Sequence, residues 1–198
     1  MSELDEKIIE DQISRLIKTV YVINGSGGVG KDTFISMVSK IVKCESYSSV
    51  EAVKTAAKIL GWNGEKDEKS RKFLSDLKFL STEYNDFSFQ SIIARIRRFY
   101  SDEESPILFL HIRETKEIQR LRALFPDIQT ILITNKNVKQ ITSNEADAGV
   151  YNLEYDYVIN NDEGLLELNQ KVEEFLRCRQ KELSRMIEDF LWPKPVAE

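Results

Sequence analysis

Histidine and cysteine are nearly absent from this 198-residue chain, which has one histidine, His111, and two cysteines, Cys44 and Cys178. The cysteines stand far apart and outside any metal-ligand spacing, the pattern of a reduced intracellular protein. Long apolar runs are missing as well. None approaches the length of a membrane span, and the first twenty residues carry too many charges for a signal peptide, so a soluble cytoplasmic protein is expected. Charge of one sign is also lacking. The 28 Lys and Arg against 33 Asp and Glu leave a net charge of −5, which argues against nonspecific nucleic-acid binding. There is no low-complexity tract and no internal repeat. The length suits one domain with a core of its own.

What is present is concentrated in residues 19–33, TVYVINGSGGVGKDT. A β-branched and aromatic run, Val20, Tyr21, Val22 and Ile23, enters a glycine-rich turn. A lysine and a helical pattern follow. The spacing Gly25-x4-Gly30-Lys31 between a strand and a helix is that of a phosphate-binding loop. Glycines let the chain curl until successive N–H groups face one anion, the helix start adds its positive dipole end, and Lys31 brings a point charge for terminal phosphates. Gly25, Ser26, Gly27, Gly28, Val29, Gly30 and Lys31 are therefore candidate nucleotide ligands. Directly after the lysine, where Ser or Thr normally reaches magnesium, stands Asp32, with Thr33 one later. Either is a candidate for the metal, directly or through water.

The rest of the chain alternates helical and strand patterns. Residues 3–18 read as an amphipathic helix outside the minimal nucleotide-binding unit, either packed on the body or forming a subunit contact. The helix after the loop continues through Phe34, Ile35, Val38 and Ile41 to about Lys43. Residues 43–47 form a weak second strand, and residues 50–60 have helical spacing ended by Gly61. Residues 63–68 read as a mobile loop, 70–84 as a helix, and Phe89 to Phe99 as another. Two buried strands are expected at 107–112 and 128–134 with a helix at 117–124 between them. Residues 135–151 lack periodicity and read as a long functional loop. A last strand at 155–159 and one helix from Glu163 to about Leu191, stopped by Pro193, complete the pattern. Such alternation implies right-handed crossovers, a parallel sheet and helices on both faces. Ligands bind beyond the carboxyl ends of such strands, here the loops at 25–33, 47–50, 112–116 and 135–148.

A site handling several phosphates needs cations in those loops. Arg113, at a strand's carboxyl end, is the best placed, and Arg71, opening a helix after a flexible loop, is a candidate acceptor ligand. Lys54 and Lys72 are further candidates. Arg95, Arg97 and Arg98 fit a solvated helix face, and Arg120 and Arg122 are expected to face solvent. His111 lies near the expected phosphates, either as a satisfied histidine or in a water-mediated magnesium contact. Glu145 and Asp147 belong to the long loop, as pairing partners on closure or as solvated charges. Trp62, Phe73, Tyr84 and Phe89 either wall an acceptor base or pack between helices.

Three blocks, GSGGVGKDT, YSSVEAVKTAAKILG and SNEADAG with YDYVINNDEGLLEL, resemble the bacteriophage-type deoxynucleoside monophosphate kinases, collinearly from residue 19 to 176. Those are P-loop kinases related to adenylate kinases, and animal-type phosphomevalonate kinases share the pattern. The resemblance implies a three-layer α/β/α P-loop fold with a five-stranded parallel sheet. The whole chain, 1–198, would form one domain with an N-terminal helical extension at 1–18, a helical acceptor-side insertion at 62–101 and a lid-like loop at 135–151. It implies ATP and Mg2+ as cofactors, and catalytic roles for Lys31 and Arg113. Asn160, Asn161 and Asp162 would lie near the donor base, and residues 135–145 would form a lid over the donor phosphates. Two departures stand out. His111-Ile112-Arg113 replaces an Asp-x-Arg sequence, and Lys136 and Lys139 stand where the lid usually begins with arginine, whose fork suits a phosphoryl group better.

The expected function is transfer of the ATP γ-phosphoryl group to a small phosphorylated acceptor, a (deoxy)nucleoside monophosphate. The alternatives are a non-nucleotide acceptor such as phosphomevalonate, or an ATP-binding regulatory module with little turnover. A GTPase switch is set aside, because Asn135-Lys136-Asn137-Val138 lacks the aspartate that reads guanine. No nucleic-acid or membrane partner is expected, and the terminal helices are a possible homodimer contact.

Overall fold

The computed structural model describes residues 9, 12–65, 67–102, 104–138 and 150–193. Its five strands are β1 (Thr19–Asn24), β2 (Cys44–Ser48), β3 (Ile107–His111), β4 (Gln129–Thr134) and β5 (Tyr157–Asn160). They form one sheet in the order β2-β3-β1-β4-β5, with every neighbouring pair parallel. The helices with defined bounds are α1 (Lys31–Ser39), α2 (Glu51–Ile59), α3 (Glu68–Asn85), α4 (Phe87–Asp102), α5 (Thr115–Leu124) and α6 (Leu165–Leu191). Residues 12–16 are also helical. The chain is thus an α/β fold with a five-stranded all-parallel sheet, as the alternating patterns predict.

Side chains on a strand alternate between faces, and β1 shows how that builds two cores. Tyr21 and Ile23 point with Ile107, Phe109 and Ile131 into the layer under α1 and α6, against Phe34, Val38, Leu168, Val172 and Phe175. Val20 and Val22 point the other way with Leu108 and Leu110, against Phe89, Ile92, Ile96, Phe99, Ile118 and Leu121 of α4 and α5. A strand covered on both faces reads as a continuous apolar run. That is why β1, β3 and β4 stand out in the sequence and the edge strand β2, with its half-exposed Cys44-Glu45-Ser46-Tyr47-Ser48, is weak.

The element ends differ by a few residues from the periodic patterns. α1 stops at Ser39 rather than near Lys43, since the chain must leave the helix to enter β2 at Cys44. α3 begins at Glu68, inside the expected loop, because the Asp67 carboxylate caps it by accepting from Ser70 N at 2.7 Å. Most of the expected lid, residues 139–149 with Lys139, Glu145 and Asp147, lies outside the described residues, as does most of residues 1–11. Among the described residues no helix is long and apolar enough to cross a membrane.

At the amino ends of the strands, α6 presents Arg179 on the same stripe as Leu168, Val172 and Phe175. Its guanidinium donates to the carbonyls of Ile17 at 2.6 Å and Pro106 at 3.2 Å. It thereby satisfies carbonyls where the chain enters β1 and β3. The functional end of the sheet is the opposite one.

Candidate functional site

The loop between β1 and α1 is shaped by glycines at two places where no other residue fits. Gly25 has φ +134°, and a β-carbon there would meet the Ile133 carbonyl oxygen at 2.2 Å. Gly30 has φ +105°, and its β-carbon would meet the Asn161 side-chain amide nitrogen at 2.4 Å. Gly30 is also the residue that opens α1, with no side chain capping the first-turn amides. Those amides and the helix dipole remain available to an anion. The Lys31 ammonium turns back over the curl and donates to the carbonyls of Gly25 at 2.7 Å and Ser26 at 2.8 Å. Ser26 Oγ lies 2.9 Å from Tyr151 Oη.

Beside the loop opens a cleft of about 870 Å3, over the carboxyl ends of β1, β3 and β2. Of the residues singled out in the sequence, Gly27, Gly28, Lys31, Asp32, Lys54, Arg71, His111 and Arg113 line it. Residues from four separate segments thus converge on one cavity. Tyr47, Ser48, Ser49 and Glu114, within the loops expected at 47–50 and 112–116, line it too, as do Lys78, Glu51 and Ser46, which sequence reasoning missed. The signal for Lys78 is its spacing from Arg71. Arg71, Leu74, Ser75 and Lys78 recur at the three- and four-residue intervals that bring side chains onto one helix face. Five cations (Lys31, Lys54, Arg71, Lys78, Arg113) and three carboxylates (Asp32, Glu51, Glu114) line the cavity, a surplus suited to anionic ligands.

Two of the carboxylates are already paired. Lys54 lies 3.6 Å from Glu51, and Lys78 is ion-paired with Glu114. Asp32 is different, with a side chain 96% exposed and 4.0 Å from the His111 Nε2. His111 Nε2 also lies 3.0 Å from Ser46 Oγ. Burial holds the imidazole below its ordinary pKa, the Asp32 carboxylate pulling the other way, so the ring is neutral at pH 7.

The donor set fits Mg2+ only as a lightly held ion. Among the described residues no group of three or more His, Cys, Asp or Glu side chains is placed to hold a metal. Asp32 offers one exposed oxygen pair at the foot of α1, and Mg2+ commonly takes one or two carboxylates, substrate phosphates and water. Thr33 is not among the residues that line the cleft.

The residues expected near the donor base lie on the other side of the loop, over β4 and β5. Asn161 Nδ2 donates to Val29 O at 2.9 Å, and Asn161 N donates to Thr134 O at 2.8 Å. The Asp162 carboxylate accepts from Lys136 N at 2.8 Å, and its other oxygen lies 3.8 Å from the Lys136 ammonium. Asn160 accepts from Thr134 Oγ1 at 2.7 Å. In this arrangement Asn161 holds the phosphate loop, Asp162 holds Lys136, and Asn160 pairs with Thr134.

The aromatic residues considered for an acceptor wall do not line the cleft. Phe89 is core, with the Arg120 guanidinium 3.8 Å over its ring. Tyr84 is exposed, and Trp62 donates to the Glu65 carbonyl. The apolar part of the wall is instead Tyr47, Val53, Leu74 and Ile112. Arg95 pairs with Glu45, Arg120 with Asp86 and Arg122 with Asp156. Those three arginines are committed away from the cleft.

No protein-family model matches the sequence, and no curated protein does. Solved structures align with the chain at low identity. A sugar kinase from Janibacter sp., in unliganded form, has 14% identity over 81% of this chain and 95% of its own, with a TM-score of 0.49. A Thermus thermophilus protein has 14% identity over 81% and 97%, with a TM-score of 0.48. The APS kinase of Mycobacterium tuberculosis has 12% identity over 81% and 97%, with a TM-score of 0.38. The strand order and register, rather than these likenesses, establish the fold.

Proposed function

We propose that the chain is an ATP-dependent phosphotransferase, with a (deoxy)nucleoside monophosphate as the acceptor. The observation that carries this reading is the Lys31 ammonium held at 2.7 and 2.8 Å by two carbonyls of the curled loop, in a cleft that Arg71, Lys78 and Arg113 also line. The polyphosphate of ATP would lie in the curl, at the amino-terminal end of α1. The acceptor would enter over β3 and β2, its phosphate facing the cations and its base against Tyr47, Val53 and Leu74.

Transfer of a phosphoryl group between two anions depends on positioning and charge neutralisation more than on covalent chemistry. Lys31 follows the terminal phosphates, and Arg113, at the end of β3, holds the acceptor oxygen in line. Phosphate acceptors are ionised at neutral pH, so no general base is needed, consistent with a neutral His111. Asp32 would hold Mg2+, which supplies charge neutralisation at the phosphate oxygens when bound.

His111 at the end of β3 favours a second reading, an ATP-binding module with slow turnover, because an imidazole replaces the carboxylate expected there. One experiment separates the two. The protein is incubated with ATP, Mg2+ and a panel of nucleoside monophosphates and phosphomevalonate, and ADP formation is followed. Acceptor-dependent ADP supports the kinase and names its substrate. Triphosphate binding by calorimetry without ADP from any acceptor supports the module, and no triphosphate binding rejects both.

A further inference from the structure

Helix α3 is unusual in this molecule because it buries no side chain fully. Phe79, Leu80 and Tyr84 on it are exposed. Its inner face nevertheless supplies Arg71, Leu74, Ser75 and Lys78 to the cleft. A charged group ties this face to the β3 end of the sheet. The Lys78 side chain is 18% exposed and ion-paired with Glu114, and its ammonium lies 3.9 Å from Glu117 Oε1. One ammonium therefore serves two carboxylates, and all three groups are largely shielded from water.

Facing Glu117 are Glu114 from the loop before α5, Lys78 from α3, and Asp86 from the α3–α4 junction. Arg120, one turn along α5, adds only a weaker attraction to Glu117, since its hydrogen bond goes to Asp86 and its guanidinium lies over the ring of Phe89. Glu117 Oε2 is buried and has no hydrogen-bond partner, which is costly for an ionised carboxylate and tolerable for a neutral acid. Burial, with Glu114 adding to it, pushes the Glu117 carboxyl up to about 7. Glu114 moves the other way: burial raises its carboxyl, but the charge and hydrogen bond of Lys78, with a backbone hydrogen bond and one from Glu117, together lower it. The resting cluster is one carboxylate, one readily protonated carboxyl and one ammonium, at the wall of an anion-binding cleft.

We propose that Lys78 is an exchangeable cation that leaves Glu114 and Glu117 for the acceptor's phosphate, and that the two carboxylates left behind take up a proton from solvent and share it. Lys78 is suited to this because a lysine is a point charge on a flexible stem. The exchange has three linked consequences. Acceptor binding consumes part of a proton, weakens as pH rises above 7, and draws the inner face of α3 toward the phosphate loop. Lys78 and Glu114 are thus positioning and specificity residues for the acceptor, at a site whose assignment rests on the kinase reading above.

The test is calorimetry on the full chain loaded with a non-hydrolysable ATP analogue, so that the phosphate loop is filled before the acceptor is added. The deoxynucleoside monophosphates and inorganic phosphate are titrated in at pH 7 in two buffers of different ionisation enthalpy. Proton uptake of several tenths per bound phosphate is expected. Lys78→Met should weaken acceptor binding at least tenfold and abolish the uptake, leaving affinity for the analogue unchanged. Glu114→Gln frees Lys78 from its strongest competitor and should tighten acceptor binding severalfold. A merely structural tie between α3 and α5 predicts the opposite sign for that variant. No uptake in the wild type, wild-type affinity in Lys78→Met, weaker binding in Glu114→Gln, or an analogue-loaded protein that binds none of the probes each overturns the exchange. Failure of the kinase reading is recognised separately, by absence of analogue binding at the outset.

Discussion

The side-chain amide of Asn161 donates to the Val29 carbonyl at 2.9 Å, and the same nitrogen occupies the space a β-carbon on Gly30 would need, at 2.4 Å. The end of β5 therefore braces the phosphate loop from behind. Residues 132 apart in sequence fix the curl that a bound polyphosphate would read.

Gly30→Ala should destabilise the fold by about 1–3 kcal/mol, from the positive φ and the clash with Asn161. Thermal unfolding measures it. Adding Asn161→Ala removes the clash and leaves only the backbone strain. The double variant should therefore cost less than the sum of the two singles, and strict additivity would show that the brace is not rigid.

Lys31→Ala should abolish transfer and weaken binding of a non-hydrolysable ATP analogue by about 10–100-fold, the value of a charge-assisted contact of roughly 1.5–3 kcal/mol. Calorimetry measures the affinity, and an unchanged value would move the triphosphate site elsewhere.

The pH dependence of stability should carry the signature of Glu117. Its folded pKa, about 7, lies above the unfolded value of 4.5, so the folded state binds the extra proton between those limits. That contribution is fully present below about pH 4.5 and is lost as pH rises through 7. Glu117→Gln keeps the neutral shape at every pH. Urea unfolding at pH 5.5 and pH 8 should show a smaller loss of stability on raising the pH in the variant than in the wild type, with the variant the more stable at pH 8 by up to about 3 kcal/mol.

Arg179→Leu should cost about 1–3 kcal/mol, because it leaves the part-buried Ile17 carbonyl without its donor, while the Pro106 carbonyl keeps the hydrogen bond from Thr19 N. The affinity for the ATP analogue should not change, since Arg179 lies at the amino ends of the strands. A parallel loss of affinity would mean that the two ends of the sheet are coupled.

The sequence by itself determined the sheet and the loop. Central parallel strands are buried on both faces, so β1, β3 and β4 appear as uninterrupted apolar runs, and the glycine spacing before Lys31 is a local consequence of backbone geometry. Only the tertiary structure decided which charges share a cavity. Lys78 lies on α3, and Glu114 and Glu117 at the start of α5, so their pairing depends on how α3 lies across the β3 end, which no local pattern encodes. The same holds for Asn161, whose part in bracing the loop comes from a contact spanning most of the chain. Phe73, Tyr84 and Phe89 looked equivalent as apolar positions on helices. Packing against the sheet buried Phe89 in the core and left Tyr84 in solvent, because burial depends on what a helix face meets and not on its own periodicity.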